Sequence, residues 1–394
     1  MDNSFHIEVG VLQKSHAGER ICGDIFLSRK VKEENRTILV LSDGMGHGVK
    51  ANLLATLTAT MAVNFTAEHK DVHKIAEIIM NTLPVCSERK ISYATFTIID
   101  IEDSGQTTII NYDNPECIIM RGDEEFKPQW HTITLETIDK KGKELQACTF
   151  KAFKEDRIVM LTDGITQSGL GKGKYLLGFG WDNTRDLIVT QVNSHPDISA
   201  AKLASMIVNK AHSNDEYQSK DDISSVVVYF REPRKLLLCS GPPYDKEKDD
   251  YLAGKVKNFR GKRILSGGTT ADIVSVKLDI PIEDTLIFDD PDLPPISHMN
   301  GIDLVTEGIL TLSKVSGILE KYNDRTELGK GPADQIVKHL LDSDEIYLCI
   351  GTAVNIAHQD PNLPVELEIR RSVARKIAGL LEEKFLKEVK LEFI

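Results

Sequence analysis

The chain has few cysteines: residues 22, 86, 117, 148, 239 and 349 are scattered singly, with no C-x-x-C pair. That spacing excludes a disulfide framework and a thiolate zinc site, and it fits a reducing compartment. An excess of positive charge is also missing. Lys and Arg number 48 against 60 Asp and Glu, for a net charge of −12, and the strongest basic run is the short KKGK at 140–143. So acidic a surface repels phosphate backbones and anionic headgroups, so we expect no nucleic-acid and no membrane partner. No apolar stretch approaches the roughly 18–20 residues that span a bilayer. The opening MDNSFHIEVG carries acids where a secretory signal carries basic and then apolar residues. A soluble, cytoplasmic protein is expected. With 27 Gly and 14 Pro among 394 residues, collagen-like and low-complexity chains are excluded. The length predicts two or three domains.

Strand-like runs rich in β-branched and aromatic residues dominate the first part, at 6–12, 24–29, 37–41, 92–101, 107–112, 117–121, 148–153, 157–161 and 223–230. Fewer, longer helical patterns lie between them, at 49–65, 71–82, 183–192 and 198–212. In the clearest, Leu53, Leu54, Leu57, Met61 and Phe65 recur at helical spacing. Strands grouped with strands predict an α+β fold, an antiparallel β-sandwich flanked by helices. At REPRK (231–235) a strand ends, a proline intervenes and a new apolar run begins, which sets the expected domains at 1–231 and 232–394. The second part alternates strand (236–241, 263–268, 346–351) with helix (271–278, 303–321, 332–341), ending in a long amphipathic helix near 365–390. That rhythm predicts a separate α/β domain.

The most informative feature is an apolar strand ending in hydroxyl-Asp-Gly, which occurs twice: LVLSDG (39–44) and VMLTDG (159–164). Gly23-Asp24 precedes the strand IFLS, and Asp221-Asp222 precedes ISSVVVYF. A single Asp-Gly is usually a turn. The recurrence in one domain points further, because a carboxylate at a strand end, followed by a glycine, can point at a shared site. Carboxylates about 4 Å apart repel by roughly 4 kcal/mol per pair at an effective dielectric near 20, so their convergence implies a cation. All-oxygen ligation without a His or Cys cluster favours Mg²⁺ or Mn²⁺. Two such ions would lower the pKa of a water and clamp the oxygens of an in-line phosphoryl displacement.

With ICGD (21–24), LSDGMGHG (41–48), NYDNPECIIMRG (111–122), MLTDGIT (160–166) and KDDISSVVVYF (220–230) in this order, residues 5–231 resemble the metal-dependent phosphatases of the protein phosphatase 2C superfamily. Within it they resemble the stage II sporulation protein E-type branch. The resemblance implies a sandwich with a dinuclear Mn²⁺ or Mg²⁺ centre at one end, Asp43 bridging both ions, the Gly44 carbonyl on one, and Asp163 and Asp221 on the other. Asp24 would sit near the second ion, partly through water. The implied activity is hydrolysis of phosphoserine or phosphothreonine by a metal-activated water, in bacterial signalling, without a phosphoenzyme. A phosphorylated protein is the implied partner, by family analogy an anti-sigma-factor antagonist. A Cys-based phosphatase is not indicated, since Cys86-Ser-Glu-Arg89 is too short for a phosphate loop and lacks glycines.

The chain departs from the family's eukaryotic members at Met45, where they place a histidine, and Arg20 is only a positional candidate for their phosphate-binding arginine. His47 has two readings: a catalytic residue that supplies a proton, since imidazole titrates near neutrality, or a residue that shapes the DGMGHG loop. In GLGKGK (169–174), Lys172 and Lys174 could meet an acidic phosphoprotein, or the segment is a solvated turn.

In the second domain SGPP (240–243), SGGTT (266–270) and IGTA (350–353) place glycine turns at strand ends, the usual position of ligand crevices. Gly267, Gly268, Thr269 and Thr270 form a candidate anion site for a small ligand, with threonine-capped tight turns as the plainer reading. The expected protein is a phosphoprotein phosphatase with a regulatory or ligand-sensing second domain. The alternative is a weak or inactive module that binds a phosphoprotein without hydrolysing it.

Overall fold

The structure, a computed structural model, describes residues 5–68, 71–82, 94–134, 144–171, 175–285, 288–323, 326–353 and 363–394. It divides into two units, Met1–Glu232 and Pro233–Ile394. The first runs β1 (His6–Lys14), β2 (Ile25–Val31), β3 (Arg36–Gly44), α1 (Gly48–Glu68), α2 (Val72–Thr82), β4 (Ala94–Ile101), β5 (Gln106–Tyr112), β6 (Ile118–Arg121), β7 (Glu124–Glu125), β8 (His131–Thr134), β9 (Glu144–Lys151), β10 (Asp156–Leu161), α3 (Asp163–Thr166), α4 (Gly180–Ser194), α5 (Ala200–Asn214) and β11 (Ile223–Arg231).

Two antiparallel sheets form, a five-stranded one ordered β1-β11-β10-β6-β7 and a six-stranded one ordered β2-β3-β4-β5-β9-β8. Alternation along each strand decides which layer a residue enters. On β3, Leu39 and Leu41 join Ile99, Met160, Val226 and Phe230 between the sheets. Ile38 and Val40 face the other way, against Ala59 and Ala62 of α1 and Ile75 and Ile79 of α2. On β11, Val227 and Tyr229 meet Leu203, Ile207 and Val208 of α5. The result is a four-layer sandwich, helices outside two packed sheets, as the grouping of strands predicts. β3 and β11 read as nearly unbroken apolar runs because both of their faces are covered. Each fully buried Leu, Ile or Val contributes roughly 1.5–3 kcal/mol, so these central strands are the rigid part of the frame.

The second unit contains β12 (Lys235–Ser240), α6 (Asp249–Asn258), β13 (Lys262–Ser266), α7 (Gly268–Leu278), β14 (Ile282–Asp284), β15 (Ser297–Met299), β16 (Leu304–Thr306), α8 (Ile309–Lys321), α9 (Pro332–Asp342), β17 (Glu345–Ile350), α10 (Leu363–Glu383) and β18 (Glu388–Phe393). Its sheet is ordered β14-β15-β16-β13-β12-β17-β18, parallel from β16 to β18. One face packs on α8, α9 and α10 through Leu312, Ile336 and Ile377. The other packs on α6 and α7 through Leu252 and Val274. Cys239 and Cys349 face each other across β12 and β17, as buried free thiols.

Two sequence expectations need correction. The helical pattern expected over 303–321 begins as the buried strand β16, because three apolar or β-branched residues carry no period that separates strand from helix. The terminal helix expected near 365–390 ends at Glu383, and Glu388–Phe393 alternates as EVKLEF and pairs parallel with β17. Within that helix Ile377 and Leu381 are buried but Ile369 is 42% exposed; the side chain of Val365 lies outside the described residues. Among the described residues no helix is long and apolar enough to cross a membrane.

Candidate active site

The strand ends of the sandwich bring the acidic residues together because two glycines allow backbones to touch. A Cβ on Gly44, at the end of β3, would stand 2.0 Å from the carbonyl oxygen of Ala51 in α1. One on Gly164, in α3, would stand 2.0 Å from the carbonyl oxygen of Asp222, just before β11. No side chain fits at either position, so the glycine of each hydroxyl-Asp-Gly unit lets a neighbouring segment close in while its aspartate stays at the rim. An open cavity of about 370 Å³ results, lined by Asp43, Gly44, His47, Asp113, Asp163 and Asp221 among others.

Asp24 is not among the lining residues but stands behind them, 1% exposed. Its Oδ2 accepts hydrogen bonds from Thr162 Oγ1 at 2.9 Å and Ser224 Oγ at 2.6 Å. Asp163 Oδ2 accepts from Gln167 Nε2 at 2.6 Å, and Asp221 Oδ1 from the Asp222 N–H at 2.8 Å. Asp222 Oδ1 in turn accepts from the His16 N–H at 3.0 Å. Three buried carboxylate oxygens, Asp24 Oδ1, Asp163 Oδ1 and Asp222 Oδ2, have no hydrogen-bond partner. Buried oxygens of this kind are expensive unless something positive serves them.

Electrostatics say the same. Burial first, then the charges of Asp24, Asp163 and Asp221, pushes the Asp43 carboxyl far above the ordinary aspartate range. Burial likewise raises Asp163 and Asp24. Asp221 is pushed up to about 6, by burial and then by the charge of Asp163. Among the described residues no three His, Cys, Asp or Glu side chains form a ready ion cage. The donors fit a hydrated hard dication, which takes one or two carboxylates and keeps several waters, better than they fit a closed cage.

His47 lines the cavity, with Nδ1 2.9 Å from Glu19 Oε1 and its ring stacked on His16 at 4.3 Å between centroids. Glu19 and His16 therefore set its orientation, which nothing in the sequence indicates. Asp113, in the left-handed region at φ 61°, and Lys220 are also lining residues that sequence reasoning missed. Their signals were their places inside NYDNP and KDD. Lys220 Nζ donates to the Leu170 carbonyl at 2.8 Å. Arg20 does not line the cavity. The Cys22 thiol is pushed up by burial and then by Asp24, the reverse of an activated nucleophile. Cys86, Lys172 and Lys174 lie outside the described residues.

The asparagines of NYDNP hold the rim of β3, β4 and β5. Asn114 Nδ2 donates to Thr97 Oγ1 at 3.0 Å and to the Leu41 carbonyl at 3.4 Å, and its Oδ1 accepts from Thr95 Oγ1. Thr97 Oγ1 donates to Asn111 Oδ1 at 2.7 Å, and Asn111 Nδ2 donates to the Asn114 carbonyl at 2.8 Å. Asn114→Ala strands the buried partners of that side chain. It should cost about 2–3 kcal/mol, read as a lower urea midpoint at unchanged m-value.

A helix-flanked antiparallel sandwich with carboxylates at one end is the architecture of the phosphatase 2C superfamily. The chain belongs within it to the stage II sporulation protein E (SpoIIE) family, whose model matches residues 33–231. No curated protein sequence matches the chain. Among solved structures it is similar to the phosphatase domain of the cell-fate determinant SpoIIE from Bacillus subtilis, at 16% identity over 59% of this chain and 95% of that one, TM-score 0.44. It is also similar to the RsbU and RsbW domains of a Mycobacterium tuberculosis protein, at 15% identity over 64% of this chain and 67% of that one, TM-score 0.45. RsbX in complex with magnesium aligns at 20% identity over 58% of this chain and 98% of that one, TM-score 0.40.

Proposed function

We propose that the first unit is a cytoplasmic phosphoprotein phosphatase that hydrolyses phosphoserine and phosphothreonine with the help of two Mn²⁺ or Mg²⁺ ions. The observation that carries this is the convergence of Asp43, Asp163 and Asp221 on one cavity, with Asp24 behind, in a state of unrelieved mutual repulsion. Asp43 would serve both ions and the Gly44 carbonyl one of them. Asp163 and Asp221 would serve the other, with Asp24 and its two hydroxyl donors reaching it partly through water. When bound, such ions supply Lewis acidity to a phosphoryl oxygen and make a water acidic enough to attack at neutral pH.

The chain's own residues do the rest. Lys220 puts a cation at the edge of an acidic cavity and draws in the phosphate dianion. Asp43, at the cavity wall, would help to hold the attacking water. As the new P–O bond forms and the ester P–O bond breaks, a proton must reach the departing serine or threonine oxygen. His47, steadied by Glu19, is the group within the cavity suited to give it. Met45, in a position where eukaryotic members have histidine, offers no proton. The open, solvent-facing form of the cavity suits a side chain carried on a protein surface, and by analogy with the family an anti-sigma-factor antagonist is the substrate.

The test is release of phosphate from phosphoserine and phosphothreonine peptides. Activity is expected with Mn²⁺ or Mg²⁺ and none in chelator, and phosphopeptides should compete better than small phosphorylated metabolites. If neither metal supports any hydrolysis while phosphopeptides still bind, the unit is a binding module and the enzymatic reading fails.

A further inference from the structure

The second unit carries a cavity of about 330 Å³ that nothing in the phosphatase reading uses. It opens at the C-terminal ends of the parallel strands β12, β13 and β16, and its walls include Gly241, Gly267, Thr270, Glu307 and Arg370. The crevice outside the carboxyl ends of parallel strands is where open α/β sheets take ligands. α7 begins there. Its first intrahelical bond runs from the Ala271 N–H to the Gly267 carbonyl, 3.0 Å, so the N–H groups of Gly268, Thr269 and Thr270 precede it. Gly267, the N-cap, has no side chain to serve them.

A helix start alone is ordinary, but Thr270 is an independent sign. It is 0% exposed, and its Oγ1 has no hydrogen-bond partner. The neighbouring hydroxyls are satisfied: Ser266 Oγ and Thr306 Oγ1 both donate to the Glu307 carbonyl, at 2.9 and 3.0 Å. Thr270 Oγ1 is aimed instead at the uncapped turn, 3.3 Å from where a Cβ on Gly267 would stand. Such a hydroxyl is costly unless a ligand acceptor completes it. Gly241 leaves room for the guanidinium of Arg370, since a Cβ there would come within 2.6 Å of Nη1. That nitrogen donates to the Gly351 carbonyl at 3.2 Å, which holds the cation at the cavity wall.

Backbone N–H groups, a hydroxyl and a guanidinium together are the chemistry of a phosphate site. Glu307 changes what the rest of the ligand must be. Its Oε1 lies 3.8 Å from the Cβ position of Gly268, at the start of α7, and the side chain is exposed to the cavity mouth. A bare phosphate would meet that carboxylate as a repelling charge, whereas a carboxylate beside a phosphate site accepts hydrogen bonds from sugar hydroxyls. The volume also lies in the range of pockets that hold whole small molecules.

We propose that this cavity binds a phosphorylated polyol, with its phosphate on the start of α7 and Thr270 and its hydroxyls on Glu307. A sugar phosphate and a ribonucleotide share that chemistry. The test is calorimetric titration of the full chain with ribose 5-phosphate, AMP and inorganic phosphate, in chelator so that the phosphatase unit is idle. At least one ester should bind saturably and more tightly than inorganic phosphate. Thr270→Val and Glu307→Gln should each weaken it about tenfold or more, the factor of one charge-assisted hydrogen bond. Thr270→Val without ligand should unfold no earlier than the wild type, because valine keeps the shape and removes an unpaired hydroxyl. Tighter ribose 5-phosphate assigns a sugar phosphate and tighter AMP a nucleotide. No heat with either ester, inorganic phosphate binding as well as both, or binding that neither variant weakens overturns the proposal.

Discussion

Replacing Asp43 with Asn should lower turnover of a phosphopeptide on the order of a thousandfold, the scale on which removing a group that stabilises transition-state charge is felt. The same variant, free of metal, should be more stable than the wild type. Asp43 is the most strongly raised of the cluster because burial and three neighbouring carboxylates act on it together. An amide of the same shape does not ionise in the unfolded chain, so folding at neutral pH no longer has to protonate a carboxylate at that position, a gain of roughly 1–3 kcal/mol. Calorimetric unfolding with and without Mn²⁺ separates the two effects. The wild type should gain a large part of its stability on adding metal and Asp43→Asn little of it. A variant that is inactive because it is unfolded, or one that keeps wild-type turnover, would remove Asp43 from the role assigned to it.

The sandwich was readable because its strands are long, β-branched and sequentially grouped, and because covered faces turn β3 and β11 into continuous apolar runs. Asp43, Asp163 and Asp221 stood out for a local reason: each lies at a strand end in a short run with a hydroxyl, a glycine or a second acid. What could not be read was anything that depends on which segments meet. Thr162 and Ser224 clamp Asp24 from 138 and 200 residues away, and the His16 N–H reaches Asp222 across 206. No period or motif encodes such pairings; they follow only once the sheet that carries β2 is packed on the sheet that carries β10 and β11. The two errors in the second unit have the opposite cause. At 304–306 and 388–393 the local pattern was too short, or too close to a helical neighbour, to announce a strand, and the neighbouring strands β13 and β17 decided the matter by offering backbone partners.

The stability of the metal-free protein should fall as pH rises above the ordinary aspartate value, and a dication should abolish that fall. Burial and mutual repulsion raise Asp24, Asp43, Asp163 and Asp221 in the folded state. Between the ordinary value and the raised one, the folded form therefore binds more protons than the unfolded chain. By linkage, the free energy of unfolding decreases with pH across that window. Asp221, raised to about 6, contributes only below about pH 6, worth roughly 2–3 kcal/mol from about pH 4 upward, on top of the other three carboxylates in the same range. Asp43 extends the loss to higher pH. Ions that hold the carboxylates ionised remove the window, so the stabilisation they bring should be larger at about pH 7.5 than at about pH 5. His212 and His339, lowered chiefly by burial, push stability the other way with pH. They act equally with and without metal, so the difference between the two unfolding curves cancels them. Asp221→Asn should make that difference less steep below about pH 6 without abolishing it, since Asp24, Asp43 and Asp163 still take up protons on folding there. A metal increment independent of pH, or one that grows as pH falls, would mean that the four carboxylates do not share an ion.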